Sequence, residues 1–132
     1  MKQYLLDTNI CIYLFKELFD LAEKIEVAGA SNFFVSEITI AELKFGAQNS
    51  EYPEKNSEKI IKLQHIFTVI PIFNSLDVYA KEKARLKKSG RILDDFDLLI
   101  GATAISNNLI LVTRNVSDFE RLEGIDIENW AK

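Results

Sequence analysis

YLLDTN, residues 4–9, sets three apolar side chains directly before an aspartate. A run this short, bounded by polar residues, reads as a buried strand, and an acid at its carboxyl end stands where open α/β sheets bind their ligands. Further along, residues 33–35, 69–72 and 109–112 are similar apolar runs. The stretches between them carry helical spacing, so strands and helices alternate. That alternation predicts an α/β fold, a three-layer sandwich with a central, mainly parallel sheet flanked by helices. Residues 125–130 offer a final short strand.

Among the intervening stretches, Leu18, Leu21, Ala22, Ile25 and Ala28 recur at steps of three and four, with Glu17, Asp20, Glu23, Lys24 and Glu26 between them. That is an amphipathic helix. Residues 37–47 and 77–91 read as further helices, the second stopped by Ser89 and Gly90, glycine being a common left-handed close to a helix. Residues 49–56 are mostly polar, include Pro53, and read as a loop. No repeat, low-complexity tract or linker interrupts the 132 residues, and one domain is expected.

Hydrophobic residues make up 48% of the chain and charged residues 27%, the usage of a globular protein that folds unaided. The lone Cys11 cannot form an internal disulfide, no basic-then-apolar leader opens the chain, and no apolar run approaches the roughly 20 residues of a membrane helix. A cytoplasmic protein with no membrane span is the expectation. The formal net charge of −4 opposes general attraction to nucleic acid, although bound cations can reverse the potential locally.

The acids carry the functional reading. Asp7 is either the cap of the helix that follows, with Thr8 or Asn9 sharing the work, or a ligand-binding carboxylate at the sheet edge. On a helix over residues 37–47, Glu42 projects beside Ile38 and Phe45, an apolar face. A carboxylate turned inward there needs a partner, either a metal or an internal salt bridge such as Lys44 or Arg114. Asp97 opens a helix whose body, residues 98–105, is apolar nearly all round. It suits the helix dipole, yet Asp94 or Asp95 can supply the cap without it. Gly101 and Ala104 share its face and leave room for another backbone. After the last apolar run, Thr113, Arg114, Asn115 and Asp118 reach the same sheet edge, either for turn hydrogen bonds or for the site.

Cations concentrate in one place, with Lys81, Lys83, Arg85, Lys87, Lys88 and Arg91 set against one acid, Glu82. The stretch is either a solvated helix face or a track for an RNA backbone. His65 reads as a surface or partly buried helix residue, Cys11 as a small core residue, and Trp130 as an anchor for the carboxyl terminus.

Together LLDTN at 5–9, SEITIAELKFGA at 36–47, DDFDLLIGATAI at 94–105 and LVTRNVSDFERLEGI at 111–125 resemble, in order and spacing, the successive blocks of a PIN-domain ribonuclease of the VapC toxin type. The resemblance runs from near the first residue to IENW at 127–130. It implies that Asp7, Glu42 and Asp97 bind a divalent metal and carry catalysis. Many members place a fourth acid where this chain has Asn115, which leaves Asp118 as a weaker ligand acting through water. Thr8, Asn9, Ser36, Thr113 and Arg114 fall in the same blocks and are implied to orient ligands, water or a phosphate.

The implied cofactor is Mg2+, with Mn2+ as a substitute, because gathered carboxylates repel one another and hard oxygen donors without histidine or cysteine suit these ions better than zinc. The implied reaction is hydrolysis of RNA phosphodiester bonds by a toxin that pairs with a cognate antitoxin and forms a homodimer. Two other functions compete. One is a catalytically inactive module whose acidic crevice receives an arginine-bearing partner peptide. The other is a phosphotransfer domain that phosphorylates Asp7, against which stand Thr8-Asn9 in place of a second aspartate and the lack of a lysine after the late strand.

Overall fold

The computed structural model describes residues 1–132. Its strands are β1 (Tyr4–Leu6), β2 (Phe33–Ser36), β3 (Thr68–Ile70), β4 (Ile110–Val112) and β5 (Asp126–Glu128). Its helices are α1 (Thr8–Phe15), α2 (Leu21–Ala28), α3 (Glu37–Gln48), α4 (Pro53–Ile66), α5 (Leu76–Ser89), α6 (Asp95–Ser106) and α7 (Val116–Phe119). All pairings are parallel, in the order β3-β2-β1-β4-β5. The chain builds β1 to β3 toward one edge, then returns to lay β4 on the other side of β1. The carboxyl ends of β1 and β4 therefore flank a topological switch point, where such sheets open a crevice. Asp7 follows β1 and Thr113 follows β4.

Successive strand residues point to opposite faces. Tyr4 and Leu6 accordingly join one apolar cluster, with Ile10, Leu21, Leu43 and Leu63 from α1 to α4. Leu5 joins the other, with Leu86, Leu98, Ile100 and Phe119 from α5 to α7. Covering both faces explains why the strands are apolar throughout and not alternating. Helix α3 serves both clusters, Ile38 in one and Ile40 and Leu43 in the other, which sets it across the carboxyl edge of the sheet. No helix is long and apolar enough to cross a membrane.

Several expectations need correction. The loop over 49–56 is shorter, because Pro53 opens α4 as its first or second residue. Proline's missing N–H costs nothing there and its fixed φ suits the first turn. The helix over 18–28 begins only at Leu21, since Glu17, Phe19 and Asp20 adopt positive φ of 56°, 58° and 53° in the turn before it. Strand β3 ends at Ile70 because Pro71 has no N–H to offer the ladder. Gly101 admits side chains, not a backbone: a Cβ there would collide with Leu122 Cδ1 and stand 3.4 Å from Phe119 Cδ1.

Other expectations stand. Gly90 closes α5 with φ 72°, Cys11 is buried in the core, and His65 is exposed on α4. Trp130 packs edge-on to Tyr4 and Phe33, at 5.1 and 5.6 Å between ring centroids, and pins the carboxyl terminus to the sheet.

Candidate metal centre

Asp7 serves both purposes that its position allows. Its Oδ1 accepts from Thr8 N at 2.8 Å and caps α1. Its Oδ2 accepts from Thr113 Oγ1 at 2.7 Å and from Asn9 Nδ2 at 3.3 Å, so β4 and α1 together fix the carboxylate at the switch point. It is 3% exposed. Burial raises its pKa above the usual 3.8; the hydrogen bonds from Thr113 and Thr8 pull it back, and the Glu42 charge pushes the same way as burial.

Glu42 reaches the same place from α3. Thr8 Oγ1 donates to its Oε1 at 2.6 Å and also bonds Thr39 Oγ1 at 3.1 Å, so Thr8 links the first acid's helix to the second acid. The expected apolar surroundings are only half right, because Ile38 is buried while Phe45 is 70% exposed. The internal salt bridge is absent: no lysine or arginine pairs with Glu42. Arg114 instead lies over Tyr13 and donates to its hydroxyl at 2.7 Å.

Asp97 sits in the first turn of α6, and Asp94 is the cap, accepting from Phe96 N at 3.1 Å. Asp97 is thereby not needed as the cap, although it still lies in the first turn, where a negative charge suits the helix dipole. Its pKa is pushed up to about 6, first by half-burial and then by the charges of Asp7, Asp94, Glu42 and Asp118. Asp7, Glu42 and Asp118 act on Asp97 from distant parts of the chain, and Asp94 from the cap of its own helix. A folded carboxyl that holds its proton more tightly than the unfolded chain lowers stability as pH rises from 3.8 toward 6, so without a cation this crevice is costly at neutral pH.

Donor chemistry fits a hard divalent cation. Asp7, Glu42 and Asp97 offer oxygens only and form no ion pair with any protein cation. No three acids close on a single point. Magnesium suits so sparse a set of protein donors, because it keeps several waters and takes one or two carboxylates directly.

The supporting residues divide. Thr8, Asn9 and Thr113 bond the acids directly. Ser36 caps α3 by accepting from Ile38 N at 3.1 Å. Asn115 is exposed, and its backbone N–H donates to Thr113 Oγ1 at 2.9 Å. Asp118 stands in the field of Asp97 but pairs with Arg121 at 3.5 Å. In the basic stretch, Lys83 pairs with Asp95 at 2.8 Å, and Arg85 is held by Glu82 and by the Arg121 carbonyl at 2.6 Å. Lys81, Lys87, Lys88 and Arg91 remain exposed without ion pairs. Two contributors escaped the sequence reading: Thr39, whose hydroxyl has no local signal, and Asp94, whose charge acts on Asp97 although its motif announces only a cap.

The chain matches the PIN domain model over residues 4–125. It is 37% identical to the Haemophilus influenzae Ribonuclease VapC2 over 99% of this chain and 100% of that protein. It is 31% identical to the tRNA(fMet)-specific endonuclease VapC of Shigella flexneri, again over 99% and 100%. Among solved structures, DNA-bound VapBC from Salmonella typhimurium superposes with a TM-score of 0.92 at 31% identity, covering 98% of this chain and 99% of that one. This agreement removes the phosphotransfer alternative, and the chain belongs to the PIN-domain family, among the VapC ribonucleases of toxin–antitoxin pairs.

Proposed function

We propose that this protein is a Mg2+-dependent endoribonuclease, with Mn2+ able to substitute, and that it is the toxin of a VapBC-type pair. The observation that carries the reading is the group of acids without ion-pair partners, Asp7, Glu42 and Asp97, at a switch point where burial first, and the neighbouring acids second, lift Asp97 to about 6. A divalent cation bound there neutralises charge on the phosphate and makes water a better nucleophile. Asp7, Glu42 and Asp97 would hold the ion, with Asp118 as a weaker supporting acid, and Glu42 or Asp97 would orient the attacking water. Thr113 and Asn9 fix Asp7, and Thr8 fixes Glu42. Arg114, exposed at the crevice mouth, meets a substrate phosphate together with the free cations of α5.

In the hydrolysis, water oxygen bonds to phosphorus, the ester P–O bond breaks, and a proton passes to the leaving oxygen. Positioning and electrostatics supply the catalysis, so no side-chain nucleophile is needed. The partner is a cognate antitoxin, in keeping with the VapBC assemblies among the similar structures, and the toxin pairs with itself as a homodimer. Purified protein is expected to cut structured RNA with Mg2+ or Mn2+ and to leave it intact with chelator, read as fragments on a denaturing gel. Equal cutting with chelator would contradict the metal dependence.

A further inference from the structure

A groove of about 260 Å³ runs between α1, α3 and α4, and Glu42 forms part of its wall. It is therefore continuous with the acidic crevice. On a chain of net charge −4 it carries Lys16 and Lys59, neither of which has an ion-pair partner. Phe15 adds an aromatic wall. Asn56 is held in one orientation: the Ser50 hydroxyl gives its proton to the Ala47 carbonyl at 2.6 Å, so it can only accept from Asn56 Nδ2, at 2.8 Å. The Asn56 Oδ1 is left able to accept.

Gly46 is the informative residue. It lies within α3, where glycine is less favourable than alanine. Its φ is not positive, and a Cβ there would meet nothing within 4 Å. Neither backbone conformation nor internal packing requires it, and its bare backbone leaves that wall of the groove open to close approach by another molecule. Lys16 and Lys59, set against Glu42 alone among the lining acids, favour an anionic visitor.

We propose that this groove is a subsite for one unstacked nucleotide of the RNA strand beside the scissile phosphate, with Lys16 and Lys59 meeting phosphates, Phe15 and the bare Gly46 backbone admitting the base, and Asn56 Oδ1 accepting from its amino edge. The proposal rests on the ribonuclease reading and adds a substrate preference to it, for bases that present an amino group. Base–aromatic contact and phosphate pairing are the usual means of holding single strands.

The test measures fluorescence anisotropy of a labelled, mixed-sequence single-stranded RNA on Asp97→Asn protein at several salt concentrations, with Gly46→Leu or Lys59→Gln added. Gly46→Leu is expected to weaken binding about tenfold or more, without lowering the unfolding temperature. Lys59→Gln is expected to make the salt dependence shallower by about 0.7 in log–log slope, the loss of one phosphate contact. Should Gly46→Leu fail to fold, Lys59→Gln decides alone. Unchanged affinity and slope would overturn the subsite while leaving metal-dependent cleavage by the wild type intact. Unchanged RNA binding with weakened antitoxin binding would make the groove a protein-docking face and overturn it equally. If the parent binds no RNA while the wild type still cuts it with Mg2+, the subsite is overturned and the nuclease reading stands; if the wild type does not cut RNA either, both fall.

Discussion

Asp97→Asn is expected to lower RNA cleavage by at least about 100-fold, the scale of losing one preorganised charged group at a reacting centre, while the protein stays folded. The substitution keeps shape and removes charge. Asp94 retains the cap of α6, so the helix start survives. Loss of one negative charge relieves the repulsion that Asp7, Asp94, Glu42 and Asp118 exert on Asp97, so the metal-free variant should unfold no earlier than wild type at neutral pH. Initial cleavage rates and thermal unfolding measure the two halves separately. Activity within a few-fold of wild type would remove Asp97 from the site, and a large drop in unfolding temperature would make its role structural. Asp7→Asn is a less discriminating variant, because Asp7 also accepts from Thr8, Asn9 and Thr113.

The largest effect on stability is expected from Phe33→Ala, about 3–5 kcal/mol, the usual cost of deleting a fully buried phenylalanine. Phe33 is 1% exposed. Its ring stacks on Tyr4 at 4.9 Å, lies 6.2 Å from Phe67, and takes the edge of Trp130. Tyr4 and Phe33 are also partners in the β1–β2 register. One deletion therefore loosens the strand that presents Asp7, the strand that leads into α3, and the anchor of the carboxyl terminus. Denaturant unfolding would measure the loss, and a change below about 1 kcal/mol would mean that the aromatic cluster repacks around the gap.

How far the chain could be read without coordinates depended on whether each signal was local. Asp7 and Asp97 lie at element boundaries, where an apolar run and an acid are adjacent in sequence, and the structure places both as that adjacency suggests. Glu42 was harder. Helical spacing put it beside Ile38 and Phe45, yet spacing cannot say which neighbours are covered, and Phe45 faces solvent because α3 lies across the sheet edge. Pro53 read as a loop residue because the apolar positions that bury α4, Ile60 and Leu63, come two turns later. The partners of Gly101 and Arg114 are Leu122 and Tyr13, distant in sequence and brought together by folding alone, and no local pattern identifies them. In the basic stretch, charge counting could not separate Arg85, committed to buried Glu82, from the free cations around it.

Calorimetric titration of Mn2+ and Mg2+ into metal-free wild-type protein, Asp7→Asn, Glu42→Gln and Asp97→Asn is the most direct measurement of whether these acids share an ion. The expected result is saturable binding by the wild type, weakened in all three variants. Binding of equal strength in all four proteins would place the ion elsewhere and contradict the account.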